Sequence, residues 1–143
     1  MFNGNSSVIY LSFNNLYLHF CICGYIIIRK SQEVVRKTEE LLLKLNALAD
    51  ETRLRIVNIL RNGELCVCQI TEVLGISQSK ASRHLSILKT AGIVADRRQA
   101  QWVYYSLINK QPDFFFALLQ DLEKIKEFQD DLSKVKLSVK PCC

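Results

Sequence analysis

Cys66 and Cys68 stand two residues apart in the stretch ELCVCQI, residues 64–70. Two thiols this close can fill a core, join in a disulfide or ligate a soft ion, since thiolates select soft, thiophilic partners. The six cysteines of the chain fall in three tight pairs: Cys21/Cys23, Cys66/Cys68 and Cys142/Cys143. A secreted disulfide scaffold spreads its cysteines as staples, whereas close-set pairs read as ligands or redox groups. Near a helix N-terminus a thiol also ionises more readily, and the thiolate is the form that ligates and attacks. No Cys-X-X-Cys, phosphate-cradling glycine loop or βαβ pattern accompanies them. A small thiol oxidoreductase is therefore the weaker reading, and no catalytic residue is assigned.

Hydrophobic periodicity gives the elements that would position these thiols. The 143 residues suffice for one domain with a real core, and the net charge of +5, from 19 basic and 14 acidic residues, favours a polyanionic partner without proving one. The stretch SQEVVRKTEELLLKLNALA places Val34, Leu41, Leu45 and Leu48 at helical spacing. Asp50 is suited to cap a second helix, ETRLRIVNIL, which Asn62-Gly63 would stop. A short helix follows from ELCVCQITEVL, with Val67, Ile70 and Val73–Leu74 apolar and Gly75 at its end. Ser77 would cap the next helix, SQSKASRHLSILKT, which stops at Gly92. The period then changes, and IVADRRQAQWVYYSLI predicts a β-hairpin with its tip between Asp96 and Gln101. The remainder returns to helix, with Phe114, Leu118, Leu122 and Ile125 on one stripe.

Two short helices joined by a tight glycine turn describe a helix-turn-helix. Ala81, Leu85 and Leu88 fall on one face of the second helix, and Ser79, Arg83, Ser86 and Thr90 near the opposite one. Lys80, Ser82 and His84 flank that polar stripe. An ordinary solvated helix face carries Glu–Lys pairs, but Ser77 to Thr90 contains no acidic residue. Hydroxyls, an amide and basic groups are what phosphate and base-edge contacts require. Arg97 and Arg98 near the hairpin tip would make it a wing. Trp102, Tyr104 and Tyr105 read as packing residues, because duplex DNA needs no exposed stacking platform.

LADETRLRIVNIL, GELCVCQI, SQSKASRHLSILKTAGIV and WVYYSL, in that order and spacing, closely resemble the ArsR/SmtB family of winged helix-turn-helix repressors, over about residues 38–130. The resemblance implies a mainly α fold with a small β-hairpin, and a cytoplasmic homodimer that is not an enzyme. Its first and last helices, Ser31–Leu48 and Asp113–Leu132, would form the interface. It implies that double-stranded operator DNA is bound without a cofactor, with Ser77, Gln78, Ser79, Lys80, Ser82, Arg83 and His84 entering the major groove and Arg97 and Arg98 on the wing. The ELCVC element resembles the arsenic-sensing branch, with arsenite or antimonite as inducer and Cys66 and Cys68 as ligands. Zinc-sensing relatives commonly carry Gly where Cys68 stands. The family's other zinc site uses His on the last helix, and residues 112–130 contain none.

Three departures matter. Arsenic sensors often have a third Cys where this chain has Thr71, usually have Asp where it has Gln69, and usually have Gly in the wing turn, which RQAQ lacks. The third ligand would then come from Cys142 or Cys143, or from an exogenous group. On a regular helix, side chains at i and i+2 point about 200° apart. Either ligand binding distorts the helix start, displacing the recognition helix behind it, or the cysteines lie before the regular helix begins. A thiol-redox or soft-metal (cadmium, lead, copper) repressor of the same fold is the alternative.

Residues 1–30 are expected to be an apolar extension outside the domain. Met1 to Ile28 contains no charged side chain and is long enough to span a bilayer. Asn14, Asn15 and His19 interrupt it, and each is costly in hydrocarbon, which argues against an anchor. The domain is expected over residues 31–132, followed by a loose Cys-ending tail, residues 133–143.

Overall fold

A computed structural model describes the backbone over residues 15–137 and side chains over residues 31–137. Cys21, Cys23, Cys142 and Cys143 lie outside the residues whose side chains are described. The chain divides into two compact units, Met1–Glu39 and Glu40–Cys143. Helix α1, Asn15–Leu48, begins within the apolar extension. Among the described residues, no helix is long and apolar enough to cross a membrane.

The second unit is built by local signals that agree with one another. Helix α2, Glu51–Leu60, starts where Asp50 Oδ1 accepts the Arg53 backbone N–H at 3.0 Å. Arg53 in turn donates its guanidinium to the carbonyls of Ala47 and Asn46, closing the end of α1. Strand β1, Leu65–Cys66, leads directly into α3, Val67–Leu74. Gly75 ends α3 in the left-handed conformation (φ 64°), which a side chain would oppose. Ser77 caps α4, Gln78–Thr90, its Oγ accepting the Lys80 N–H.

Strands β2, Val94–Gln99, and β3, Trp102–Leu107, form the expected hairpin. The sheet has one strand more than periodicity could show. It is antiparallel, ordered β1-β3-β2, with Leu65 opposite Tyr105 and Cys66 opposite Tyr104. Two residues are too few to alternate visibly, so by periodicity β1 merges with the helix that follows.

The core gathers Ile56, Val57 and Ile59 of α2, Ile70 of α3, Ala81, Leu85 and Leu88 of α4, and Ile93, all fully buried. Burying each of the large aliphatic chains contributes about 1.5–3 kcal/mol.

The C-terminal helical region differs from the expectation in two ways. It is two helices, α5 (Asp113–Leu122) and α6 (Lys126–Leu137), and its buried stripe is Phe115, Leu119 and Leu122, with Ile125 exposed. Tertiary contacts hold the break. Arg61 donates to the Leu119 carbonyl, Gln129 Nε2 to the Glu123 carbonyl at 2.7 Å, and buried Asn58 Nδ2 to the Phe128 carbonyl at 2.9 Å.

The wing turn carries a testable strain. Gln99 pairs with Trp102, so Ala100-Gln101 is a two-residue loop, and Ala100 adopts φ 53°. An L side chain there costs about 1–2 kcal/mol. Ala100→Gly is expected to stabilise the protein by about 0.5–1 kcal/mol, raising the melting temperature by about 2 °C in a circular-dichroism melt.

Candidate functional site

Helix α4 presents the polar surface that its sequence predicts. Ser77, Gln78, Ser79, Lys80, Ser82 and Arg83 are exposed, as are Ser86 and Thr90, while Ala81, Leu85 and Leu88 face the core. The Ser77 and Ser79 hydroxyls lie 3.2 Å apart at the helix N-terminus, where unpaired backbone N–H groups favour an anion. His84 is placed differently from the other residues expected to read DNA. Its side chain is only 12% exposed, and Nδ1 sits 3.6 Å from Asp50 Oδ1. Burial holds the imidazole below its usual pKa, opposed by the Asp50 carboxylate at the α2 cap.

The hairpin is fastened to α4. Lys89 Nζ lies 2.6 Å from Asp96 Oδ1, and this contact holds the Asp96 carboxyl below its ordinary pKa. Arg98 is exposed. Arg97 instead lies along the sheet. Its guanidinium is 2.7 Å from Glu64 Oε2, donates to Gln99 Oε1 at 3.0 Å, and stacks 5.4 Å from the centroid of Tyr104. Glu64 and Tyr104 are the participants that sequence reasoning missed. Glu64 carried no signal, because the two-residue strand that brings it beside the wing is invisible to periodicity.

The cysteines lie at the strand–helix junction. Cys66 ends β1 with extended backbone (φ −79°, ψ 162°) and is the N-cap of α3, while Cys68 is in its first turn. Cys66 is fully buried and Cys68 exposed, yet their sulfurs approach to 3.2 Å. The 200° divergence of a regular helix therefore does not arise, and no bending of the helix start is needed to bring the sulfurs together. Gln69, at the unusual position, closes the cap by accepting the Cys66 N–H through Oε1 at 2.9 Å. Thr71 donates its hydroxyl to the Cys68 carbonyl at 2.7 Å.

The Cys66 and Cys68 sulfurs, at 3.2 Å, stand in contact rather than at bonding distance. Among the described residues, no group of three or more His, Cys, Asp or Glu side chains is arranged to hold a metal ion. The two sulfurs suit a soft thiophile as a bidentate pair that needs a further ligand from elsewhere.

A capped two-helix unit, a polar recognition helix and an antiparallel hairpin fastened beside it define a winged helix-turn-helix protein. Residues 50–96 match the model of the bacterial regulatory protein, arsR family. The arsenical resistance operon repressor of Escherichia coli K12 is 54% identical over 97 residues, covering 64% of this chain and 83% of that protein. The chain belongs to this family.

The arsenic resistance transcriptional regulator ArsR1 of Pseudomonas putida KT2440 is 51% identical over 74 residues, or 51% of this chain. The chain spans 58% of the length of that relative and 65% of a second regulator from the same organism. Among solved structures, reduced HlyU of Vibrio cholerae N16961 superposes with a TM-score of 0.54 at 33% identity, covering 66% of this chain and 97% of that one. The homodimeric winged helix-turn-helix DNA-binding domain of Mb0332 from Mycobacterium bovis gives 0.56 at 30% identity, covering 64% and 90%.

Proposed function

We propose that the chain is a metalloid-responsive transcriptional repressor. It binds operator DNA as a homodimer and leaves it when arsenite or antimonite is held by the Cys66 and Cys68 thiolates. The observation that carries this reading is the 3.2 Å approach of two sulfurs at the N-terminus of the first helix of the helix-turn-helix. Similarity to regulators of arsenic resistance supports the inducer class. Exposed Leu41, Leu42 and Leu45 of α1 and Phe116 of α5 support a dimer through those helices. Ser77, Gln78, Ser79, Lys80, Ser82 and Arg83 meet the major groove, and His84 braces their helix from behind.

The test is operator binding by the reduced, full-length protein on its own promoter DNA, with and without excess arsenite. Release is expected, and equal retention under both conditions sinks the reading. A truncation lacking Cys142-Cys143 decides whether the third ligand comes from the tail. The same 3.2 Å approach of the sulfurs favours a second reading, in which oxidation of the Cys66/Cys68 pair releases DNA. An oxidant challenge in metal-free buffer separates the two.

Thr71 gives a gain-of-function prediction. It follows Cys68 by three residues and so shares its helix face. Thr71→Cys places a third thiol beside the pair and makes the last ligation step intramolecular. Half-maximal release is expected at an arsenite concentration at least about tenfold lower, read by titrating the fluorescence anisotropy of labelled operator.

A further inference from the structure

Arg97 is claimed by two partners. As a wing residue it is a candidate for DNA phosphate, yet here its guanidinium is held by Glu64 at 2.7 Å, by Gln99 at 3.0 Å and by the face of Tyr104. Glu64 lies two residues before Cys66 on the segment that becomes β1. Tyr104 is opposite Cys66 on one side and opposite Arg97 on the other. Directly opposed residues of an antiparallel sheet share a face. Cys66, Tyr104 and Arg97 therefore form one rung, about 10 Å across at the usual strand spacing. The buried sulfur and the wing guanidinium are its two ends, and the Glu64–Arg97 pair closes the same span a second time.

We propose that Glu64 competes with operator phosphate for Arg97, and that the state of the Cys66/Cys68 pair sets which of them Arg97 holds. This rests on the repressor reading above and names its coupling residues. Both groups of the ion pair are about half exposed, at 54% and 44%, so it is weak enough to be exchanged for a phosphate. Any shift of β1 moves Glu64 and the Tyr104 platform together, because both are tied to Cys66 by chain or by ladder hydrogen bonds. Coupling then reaches the wing through one strand register, with no need to distort α3 and pass the change to α4. Glu64 and Tyr104 act as positioning residues, and only Arg97 touches DNA.

The experiment compares the reduced full-length protein with its Glu64→Gln, Arg97→Gln and double variants on labelled operator, across a salt series, with and without arsenite. Glu64→Gln is expected to bind operator more tightly without arsenite, by up to about fivefold. It should also lower the arsenite-induced weakening factor at least about threefold, since the competitor is gone. Arg97→Gln should reduce the salt slope by about one, and in its background Glu64→Gln should have no further effect.

A purely structural Glu64 would change affinity equally in both states and leave their ratio intact. An unchanged ratio, or independent addition of the two substitutions, overturns the proposal. If the parent protein shows no arsenite response, the repressor reading fails on its own, and the arsenite-free affinities and salt slopes still decide the competition.

Discussion

Cys68→Ser is expected to remove arsenite-dependent release while leaving operator binding within about threefold of the parent. Allosteric coupling between two sites is typically about 5–150-fold in affinity, and the ratio measured with and without arsenite should collapse from that range to one. Cys68 is the cleaner position because it is exposed, and a hydroxyl there stays solvated. Cys66→Ser should abolish the response equally, with little loss of stability: Cys66 is the N-cap of α3, and a serine hydroxyl there can accept the Gln69 backbone N–H in the same capping box. Loss of response in both variants with stability kept within about 1 kcal/mol of the parent would mark ligation rather than folding as the shared cause. Operator anisotropy together with urea denaturation reads both. Full release from Cys68→Ser would move the inducer site elsewhere.

The structure changes the physical account of that response. From spacing alone, a Cys-X-Cys pair on a helix looks unable to converge, which invites a switch that works by bending the helix. The strand-to-helix junction removes the problem, since extended backbone at Cys66 turns its sulfur toward Cys68 before the helical rotation begins. Local signals suffice for the caps and turns. Asp50 and Ser77 cap because their side chains bond their own neighbouring N–H groups, and Gly75 and Gly92 sit at positive φ because a side chain there is strained. The alternation of Ala81, Leu85 and Leu88 against Ser79, Arg83 and Ser86 survived because a 13-residue helix samples several turns.

Tertiary partners hid the rest. His84 lies at the margin of the polar stripe, and only the α2 N-terminus beside it shows that the ring turns inward. Residues 123–125 contain neither glycine nor proline, so nothing local announces a break between α5 and α6. The Glu123 carbonyl at the break is taken by the Gln129 side chain, while Arg61 and Asn58, more than fifty residues away in sequence, fix the flanking helices through the Leu119 and Phe128 carbonyls. The buried stripe moved by one residue, from Phe114 and Leu118 to Phe115 and Leu119, and the displaced pair still packs partly against the core. A helix with apolar residues at adjacent positions does not specify its face within one residue's rotation.

Asp131→Ala is expected to be the most destabilising polar substitution of the set, by about 2–4 kcal/mol. Asp131 is 1% exposed and takes a bidentate pair from Arg55, Nε at 2.7 Å and a terminal nitrogen at 2.8 Å, with Lys134 at 3.7 Å. Removing one partner of a buried pair costs about 3–5 kcal/mol. Here the value is discounted because the Arg55 side chain is a quarter exposed and can recover water. The contact clamps α6 to α2 beside the Asn58 bond to the Phe128 carbonyl, and α6 also packs on α3, the helix that opens with the cysteines. The loss should appear in urea denaturation at fixed protein concentration, with amide exchange accelerated first in α6. Asp131→Asn, which keeps the shape and one acceptor, should lose about half as much. If Asp131→Ala unfolds within 1 kcal/mol of the parent, apolar packing of Phe128 and Val135 holds α6 without the ion pair.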